Sequence, residues 1–393
     1  MYRTAVISTQ EDLKRLTDKL RDEKAIAVDT EFHGERRYWP DLFLIQIAGS
    51  DGPVAVDPLE IKDLSPLARL FESESPVKVI HSARNDIDVL MHHLNVEFAS
   101  VFDTQLAAAF LGHGRQTALF KLVKAECGIY PKKGHTLSDW SLRPLADDQI
   151  EYALDDVRYL LEIYRSQIEK LKARGRLGWY LEEAKSLTDP STYNNAVHRL
   201  FRKIRSTAKV RNNRVHILWA LVKWRENAAR QVNKPRNFVV RDHLLGAITA
   251  LTPVSKRALS RLRGISSGFI LKWGDEILKV IADAESFPDK DIPDIPRYHS
   301  RPGVSARMDI LRIFLKQESC RLDISPELLL SKEMINSLAK NPPDNEKELY
   351  SLLELTGWRK EALGDDLVSL LKGKLALKLN LDSRAGLHFI RVE

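Results

Sequence analysis

The run Ala25-Ile26-Ala27-Val28-Asp29-Thr30-Glu31-Phe32 constrains this chain most, because an apolar strand able to be buried ends in two acids on one face. Residues i and i+2 of a strand point the same way, so Asp29 and Glu31 converge on one point in space. Paired carboxylates cost free energy unless a positive charge lies between them, and an all-oxygen donor set suits Mg2+ or Mn2+. The alternative is a solvated loop that happens to carry two acids. Further acids downstream bear on that choice.

At 393 residues the chain exceeds one ordinary core, so two or three domains are expected. The two cysteines, Cys127 and Cys320, are far apart, which argues against a disulfide framework and for a reducing compartment. No apolar run approaches the roughly 18 to 20 residues that cross a bilayer, and Arg3, Glu11 and Asp12 stand where a signal peptide would be apolar. The expectation is a soluble cytoplasmic protein. Charge is unevenly spread: residues 1–190 hold 25 Lys+Arg against 31 Asp+Glu, residues 191–290 hold 20 against 7, and residues 291–393 hold 16 of each. An acidic part that gathers metal, joined to a basic part, suits an enzyme that processes a polyanion.

Ser8-x-x-Glu11 reads as a capping box for a helix carrying Leu13, Leu16 and Leu20. Apolar runs at 25–29, 42–48 and 54–56 predict a strand meander. A strand at 77–80, a helix with Ile87, Leu90, Met91 and Leu94 on one side, and a short strand near 101–102 follow. Helical patterns at 104–111, 117–127 and 147–172 complete a mixed α/β domain. From about 195 the chain reads as all helix, with Pro-rich breaks at 287–296, a candidate linker, and 341–344. Ile217-Leu218-x4-Lys223 is echoed by Ile310-Leu311-x4-Lys316, and Leu262-x-Gly264 with Gly274-Asp275 by Leu355-x-Gly357 with Gly364-Asp365. The echoes predict a duplicated small helical domain.

Two more places offer acids. In His81-Ser-Ala-Arg-Asn85-Asp86 a buried strand gives way to a helix; Asp86 and Asp88 lie about 200° apart on it and cannot share a role, and spacing favours neither. On the helix from Asp147, Ile150, Leu154, Val157, Leu161, Tyr164 and Ile168 form a core stripe. Glu151, Asp155, Arg158, Glu162 and Glu169 form a solvated flank, and Tyr152, Asp156, Tyr159 and Ile163 share a third face. A phenol and a carboxylate at i and i+4 are stacked neighbours, so helix geometry selects Asp156 over Asp155. Standing alone, the pair would read as surface decoration.

Together, Asp29-x-Glu31, Asn85-Asp86 and Tyr152-x-x-x-Asp156 resemble the three motifs of the DEDD exonuclease superfamily in its tyrosine-bearing branch, and within it ribonuclease D. The likeness extends to Phe102-Asp103-Thr104-Gln105 and to Ser138-Asp139-Trp140-x-x-Arg143-Pro144-Leu145, over residues 1–190. Trp224-Arg225-Glu226, Ala229-Arg230, Pro235-Arg236 and Asp242 resemble the helicase-and-RNase-D C-terminal (HRDC) domain, here 195–290, with a divergent second copy at 297–393. The resemblance implies a ribonuclease H-like α/β exonuclease domain, a mixed sheet flanked by helices, followed by two small all-α domains. It also implies two Mg2+ or Mn2+ ions held by four carboxylates: Asp29 bridging both, Glu31 and Asp156 completing the first site, Asp86 supporting the second. Tyr152 would orient the attacking water, Phe32 would stack on the terminal base, and Arg143 would touch phosphate.

The implied reaction is two-metal hydrolysis that removes nucleoside 5′-monophosphates one at a time from a free RNA 3′ end, with tRNA precursors as typical substrates and a monomer as the working form. The basic middle segment, including Arg199, Arg202, Lys203, Arg211, Arg225, Arg230 and Arg236, would grip the phosphate backbone. Rival readings are a DNA 3′–5′ exonuclease and a catalytically silent RNA-binding scaffold. A helicase fragment lacks a Gly-x-x-x-x-Gly-Lys-Ser/Thr loop.

Overall fold

The strand that carries the first two acids, β2 (Ala25–His33), lies inside a six-stranded sheet of order β1-β4-β3-β2-β5-β6. Ile26, Ala27 and Val28 are fully buried, as expected of a strand flanked on both edges and covered on both faces. The structure is a computed structural model; it describes residues 6–130, 138–194, 196–207, 210–286, 292, 302–343, 345–353, 357–383 and 385–392. Arg3, Asp344, Leu355 and all but Ile292 of the expected linker 287–296 lie outside the described residues. Two compact units emerge, one of residues 1–31, 43–188 and 297–393, the other of residues 32–42 and 189–296.

In the first unit β1 (Val6–Ile7) runs parallel to β4 (Gly52–Val56), which pairs antiparallel with β3 (Asp41–Gly49). β5 (Val77–Ile80) runs parallel to β2, with Ala27 opposite Val79, and β6 (Val101–Asp103) runs parallel to β5. The meander of β2, β3 and β4 is as expected, whereas β1 is too short to read from sequence. Helices α1 (Gln10–Leu20), α2 (Ser65–Glu72), α3 (Arg84–Leu94), α4 (Thr104–Phe110), α5 (Leu119–Cys127), α6 (Asp147–Arg158), α7 (Leu160–Ala173) and α8 (Leu177–Thr188) complete the α/β part. The α1 cap falls one residue later than the capping box predicts: Thr9, not Ser8, accepts from the Asp12 amide.

The predicted single helix over 147–172 is interrupted at Tyr159, whose φ of −104° and ψ of −5° separate α6 from α7. The phase therefore resets, and Ile163, expected beside Tyr152 and Asp156, is fully buried against Leu122 and Val123 of α5. Glu151 and Arg158 stay on the solvated flank and pair at 2.7 Å.

The second unit holds α9 (Pro190–Asn194), α10 (Ala196–Thr207), α11 (Val215–Gln231), α12 (Arg236–Val239), α13 (Asp242–Leu251), α14 (Lys256–Leu259) and α15 (Ser267–Ser286). Its core gathers Phe201, Trp219, Leu245 and Ile277. Residues 32–42 belong here: the Asn233 side-chain oxygen accepts from the Tyr38 and Trp39 amides at 3.1 and 3.0 Å, and the Tyr38 hydroxyl bonds to Glu226. The stretch 1–190 is thus not one continuous structural piece.

The expected second copy can be set beside the first element by element. α16 (Val304–Leu322), the four-residue α17 (Pro326–Leu329), α18 (Lys332–Lys340), α19 (Glu346–Leu353) and α20 (Gly357–Leu371) run long, short, medium, medium and long, where α11 to α15 run long, short, medium, short and long. The copy is not all helix, however. β7 (Leu375–Leu379) and β8 (Leu387–Arg391) form an antiparallel hairpin, which the alternation of Leu375-Ala-Leu-Lys-Leu and Leu387-His-Phe-Ile-Arg permits. This neutral segment packs into the first unit. Arg176 donates to the Leu322, Asp323 and Phe110 carbonyls, and the Ser325 amide donates to the Ala109 carbonyl at 2.8 Å. The Trp358 ring stacks on Trp179 at 5.4 Å. Gly357, at φ +53°, has Glu182 so close that a Cβ would overlap its carboxylate, and that carboxylate accepts from the Trp358 amide. Among the described residues no helix is long and apolar enough to cross a membrane, and Cys127 and Cys320 are unbridged.

Candidate active site

Strand geometry delivers Asp29 and Glu31 to one spot, and α6 brings Asp156 to it: carboxylate oxygens of the three lie within 4.8 Å of one another. α6 is held over the sheet by Leu154 and Ala153, which pack on Leu44, Ala55 and Trp140, with Tyr152 lying against the same cluster. The segment entering α6 is pinned by Arg143, whose guanidinium grips Asp57 at 2.5 and 2.9 Å.

The fourth acid comes from the first turn of α3. Asp86 is buried and its charge acts on Asp29 and Glu31, whereas Asp88 is exposed. Two residues that sequence reasoning passed over hold Asp86 in place. The Thr30 hydroxyl, between the two strand acids, donates to Asp86 at 2.5 Å. Asp103 caps α4 through the Gln105 and Leu106 amides and reaches back to the Ser82 and Ala83 amides at 3.1 Å, stapling the β5–α3 turn, where Ser82 sits at φ +62°. Its own amide donates to the buried Tyr180 hydroxyl. The quoted Phe102-Asp103-Thr104-Gln105 run was the available signal for Asp103; the small Thr between two acids was the signal for Thr30.

Electrostatics show what the cluster lacks. Burial first, then the charges of Asp86, Asp156 and Glu31, push the Asp29 carboxyl well above the carboxylate range. Glu31 is pushed up to about 8 by burial, Asp156 and Asp86; Asp86 rises to about 7, mainly by burial; Asp156 rises to about 6 by burial, against the hydrogen bond it accepts from Tyr152. Like charges forced together in a half-dry cleft raise one another, and no cation of the chain figures among the causes. A divalent cation would remove that penalty, and four carboxylates are the donor set that Mg2+ or Mn2+ accepts. The residues therefore fit a metal centre. Burial and the neighbouring carboxylates also drive the Tyr152 phenol far above its ordinary value, so it stays protonated at neutral pH.

Residues 4–172 match the family model described as a 3′–5′ exonuclease, and residues 216–281 match the HRDC domain. The ribonuclease D of Gluconacetobacter diazotrophicus is 37% identical over 376 residues, covering 95% of this chain and 94% of that one; that of Acidiphilium cryptum is 36% identical at the same coverage. The crystal structure of Escherichia coli RNase D, an exoribonuclease involved in structured RNA processing, superposes with a TM-score of 0.80 at 30% identity, covering 95% of this chain and 99% of that one. The chain belongs to the ribonuclease D family.

Within that ribonuclease D frame the remaining two expected site residues fare differently. Phe32, next on β2 after Glu31, is half-buried. Arg143 requires a correction. Its Nε and Nη2 bind Asp57, Nη2 also donates to the Phe43 carbonyl, and Nη1 donates to the Trp140 and Leu142 carbonyls. All five N–H donors of the guanidinium are engaged within the protein, leaving none for a phosphate.

Proposed function

We propose that this ribonuclease D is a 3′–5′ exoribonuclease in which Asp29, Glu31, Asp86 and Asp156 hold two divalent cations against the 3′-terminal phosphodiester of RNA. The observation that carries the reading is the convergence of three carboxylates within 4.8 Å, with a fourth whose charge acts on Asp29 and Glu31. Bound there, the ions would acidify the attacking water and neutralise charge on the departing oxygen. The chain's own residues do the rest. Asp29 feels the charges of Asp86 and Asp156 as well as of Glu31, so it would be the carboxylate shared between the two ions. Glu31 and Asp156 would complete the first site, and Asp86, steadied by Thr30, the second. Tyr152 keeps its proton, donates to Asp156 and so orients the nucleophile instead of deprotonating it. Phe32 is suited to stack on the terminal base.

The product is a nucleoside 5′-monophosphate per cycle. The basic segment 191–290 would hold the RNA backbone without reading sequence, while the neutral segment 297–393 serves the exonuclease unit as structural support. Precursors of tRNA with trailing 3′ nucleotides, met by a monomer in the cytoplasm, are the physiological setting we infer. The test is stepwise release of mononucleotides from 3′-extended tRNA transcripts and matched DNA in Mg2+. Release that persists in EDTA, or that prefers DNA, contradicts the reading.

A further inference from the structure

Helix α4 is seven residues long, and helices shorter than about 12 residues draw their stability from what they pack on. At its start stands Asp103, whose carboxylate also holds the Ser82 and Ala83 amides of the β5–α3 turn; Ala83 caps α3, and Asp86 follows in the first turn. At its end the last carbonyls have no partner inside the helix and must find donors elsewhere. Residues 322–325, and two arginines that they hold, supply those donors. The Ser325 amide donates to the Ala109 carbonyl at 2.8 Å. Arg176 donates to the Phe110 carbonyl at 2.7 Å while the Leu322 and Asp323 carbonyls fix the same guanidinium. Arg174 donates to the Leu111 carbonyl at 3.2 Å and to the Asp323 carboxylate at 2.8 Å. Just past the helix, Gly112 at φ +93° lies so near that a Cβ would stand 2.7 Å from that carboxylate.

Tyr180 ties the two ends of α4 together. It is fully buried, its hydroxyl accepts from the Asp103 amide at 2.8 Å, and its ring lies 4.6 Å from Phe102 and 6.4 Å from Phe110. Phe110 in turn meets Trp358 of α20 at 5.0 Å. Close-packed interiors transmit a displacement instead of absorbing it, so a shift at residues 322–325 reaches Asp103 and the turn it staples. The Thr30 hydroxyl holds the Asp86 carboxylate directly, and that turn determines where the backbone beneath it stands.

We propose that residues 322–325, acting through α4 and Asp103, position Asp86 and so set the affinity of the divalent ion that Asp86 supports, with Tyr180 as the positioning residue at the Asp103 end. That the ligand is a metal rests on the four-carboxylate reading of the site; that these contacts fix Asp86 does not. The C-terminal segment then does more than support the exonuclease unit. General support, when weakened, lowers stability and leaves both metal affinities alone, whereas loss of a group that orients a ligand lowers the affinity of the ion it serves.

Mn2+ binding is measured by calorimetry on the full chain and its variants, with AMP present as a product of the reaction. Asp86→Asn identifies the binding step to which Asp86 contributes. Ser325→Pro suits the observed φ of −63° but puts a ring where the amide donated to Ala109, and Tyr180→Phe removes only the hydroxyl beside Asp103. Leu338→Ala, at a fully buried position of α18, weakens the same C-terminal segment elsewhere. The expected result is that the step lost in Asp86→Asn weakens about tenfold or more in Ser325→Pro and Tyr180→Phe, with the other step unchanged and nucleotide release recovering as Mn2+ is raised. Leu338→Ala should melt earlier yet bind both ions as wild type does. Unchanged affinities in a folded Tyr180→Phe overturn the proposal, and that variant, which keeps the packed ring, carries the test if Ser325→Pro fails to fold by circular dichroism. Equal weakening in Leu338→Ala also overturns it. Asp86→Asn protein that binds Mn2+ as wild type does removes the four-carboxylate reading, and the proposal with it.

Discussion

Replacing Glu31 by Gln is expected to stabilise the metal-free protein while abolishing its activity. At pH 7.5 the unfolded chain ionises Glu31, whose ordinary pKa is 4.5, but the folded chain, with that group at about 8, keeps most of the proton. Each tenfold in proton affinity is worth 1.36 kcal/mol, which sets a ceiling of about 4 kcal/mol on what folding loses at this pH. One proton relieves Asp29, Asp86 and Asp156 together, so a gain of about 2 kcal/mol, or a melting shift of about 4–8 °C, is the working expectation. The sign follows from the raised pKa: stability due to this group is full below about 4.5, falls as pH rises, and levels off above about 8. The variant should therefore gain nothing at pH 4.5 and most above pH 8. Mg2+ or Mn2+ should invert the order, because a ligand that binds only the folded wild type stabilises it by mass action. Thermal melts in EDTA and in Mg2+ at pH 4.5, 6 and 8 test this. A Glu31→Gln protein no more stable than wild type in EDTA at pH 8 would refute the crowded-carboxylate account.

Asp156→Asn should lower turnover by at least about a thousandfold, as should EDTA with wild type, and mononucleotide release read by chromatography checks both. Tyr152→Phe should lower kcat by about tenfold to a hundredfold yet leave the metal-induced melting shift intact, since a positioning donor and not a ligand is lost. Arg143→Ala should destabilise the protein by about 3 kcal/mol, leaving Asp57 buried and unpaired, with KM for RNA unchanged once the folded fraction is allowed for. A raised KM without loss of stability would restore Arg143 to substrate contact.

Much of the site could be read from spacing alone. Asp29 and Glu31 were fixed by strand alternation, and Asp156 was chosen over Asp155 by its i+4 relation to Tyr152; both are local periodicities that tertiary packing preserved. Asp86 could not be separated from Asp88 locally, because the choice depends on Asp103 stapling the turn and on Thr30 reaching across from β2. Arg143 misled for a related reason: a lone arginine near a phosphate-handling site has the right chemistry, but its partner Asp57 lies 86 residues away. Tyr159 interrupts a helix whose apolar stripe runs on without a break in the letters, and the β7–β8 hairpin hides in a region whose other signals are all helical. What escaped was set by long-range contacts or by elements of a few residues.

The chain passes between its two units four times, and the first crossing follows Glu31 directly. A chain cut after Thr188 would therefore keep Asp29, Glu31, Asp86 and Asp156 but strip Phe32–Leu42 of the helices on which that segment packs, leaving Tyr38 and Trp39 without their Asn233 acceptor. The helical unit is consequently not a detachable accessory that evolution or a protein engineer could swap as a cassette. Any exchange would have to carry the eleven-residue insert inside the catalytic domain along with it.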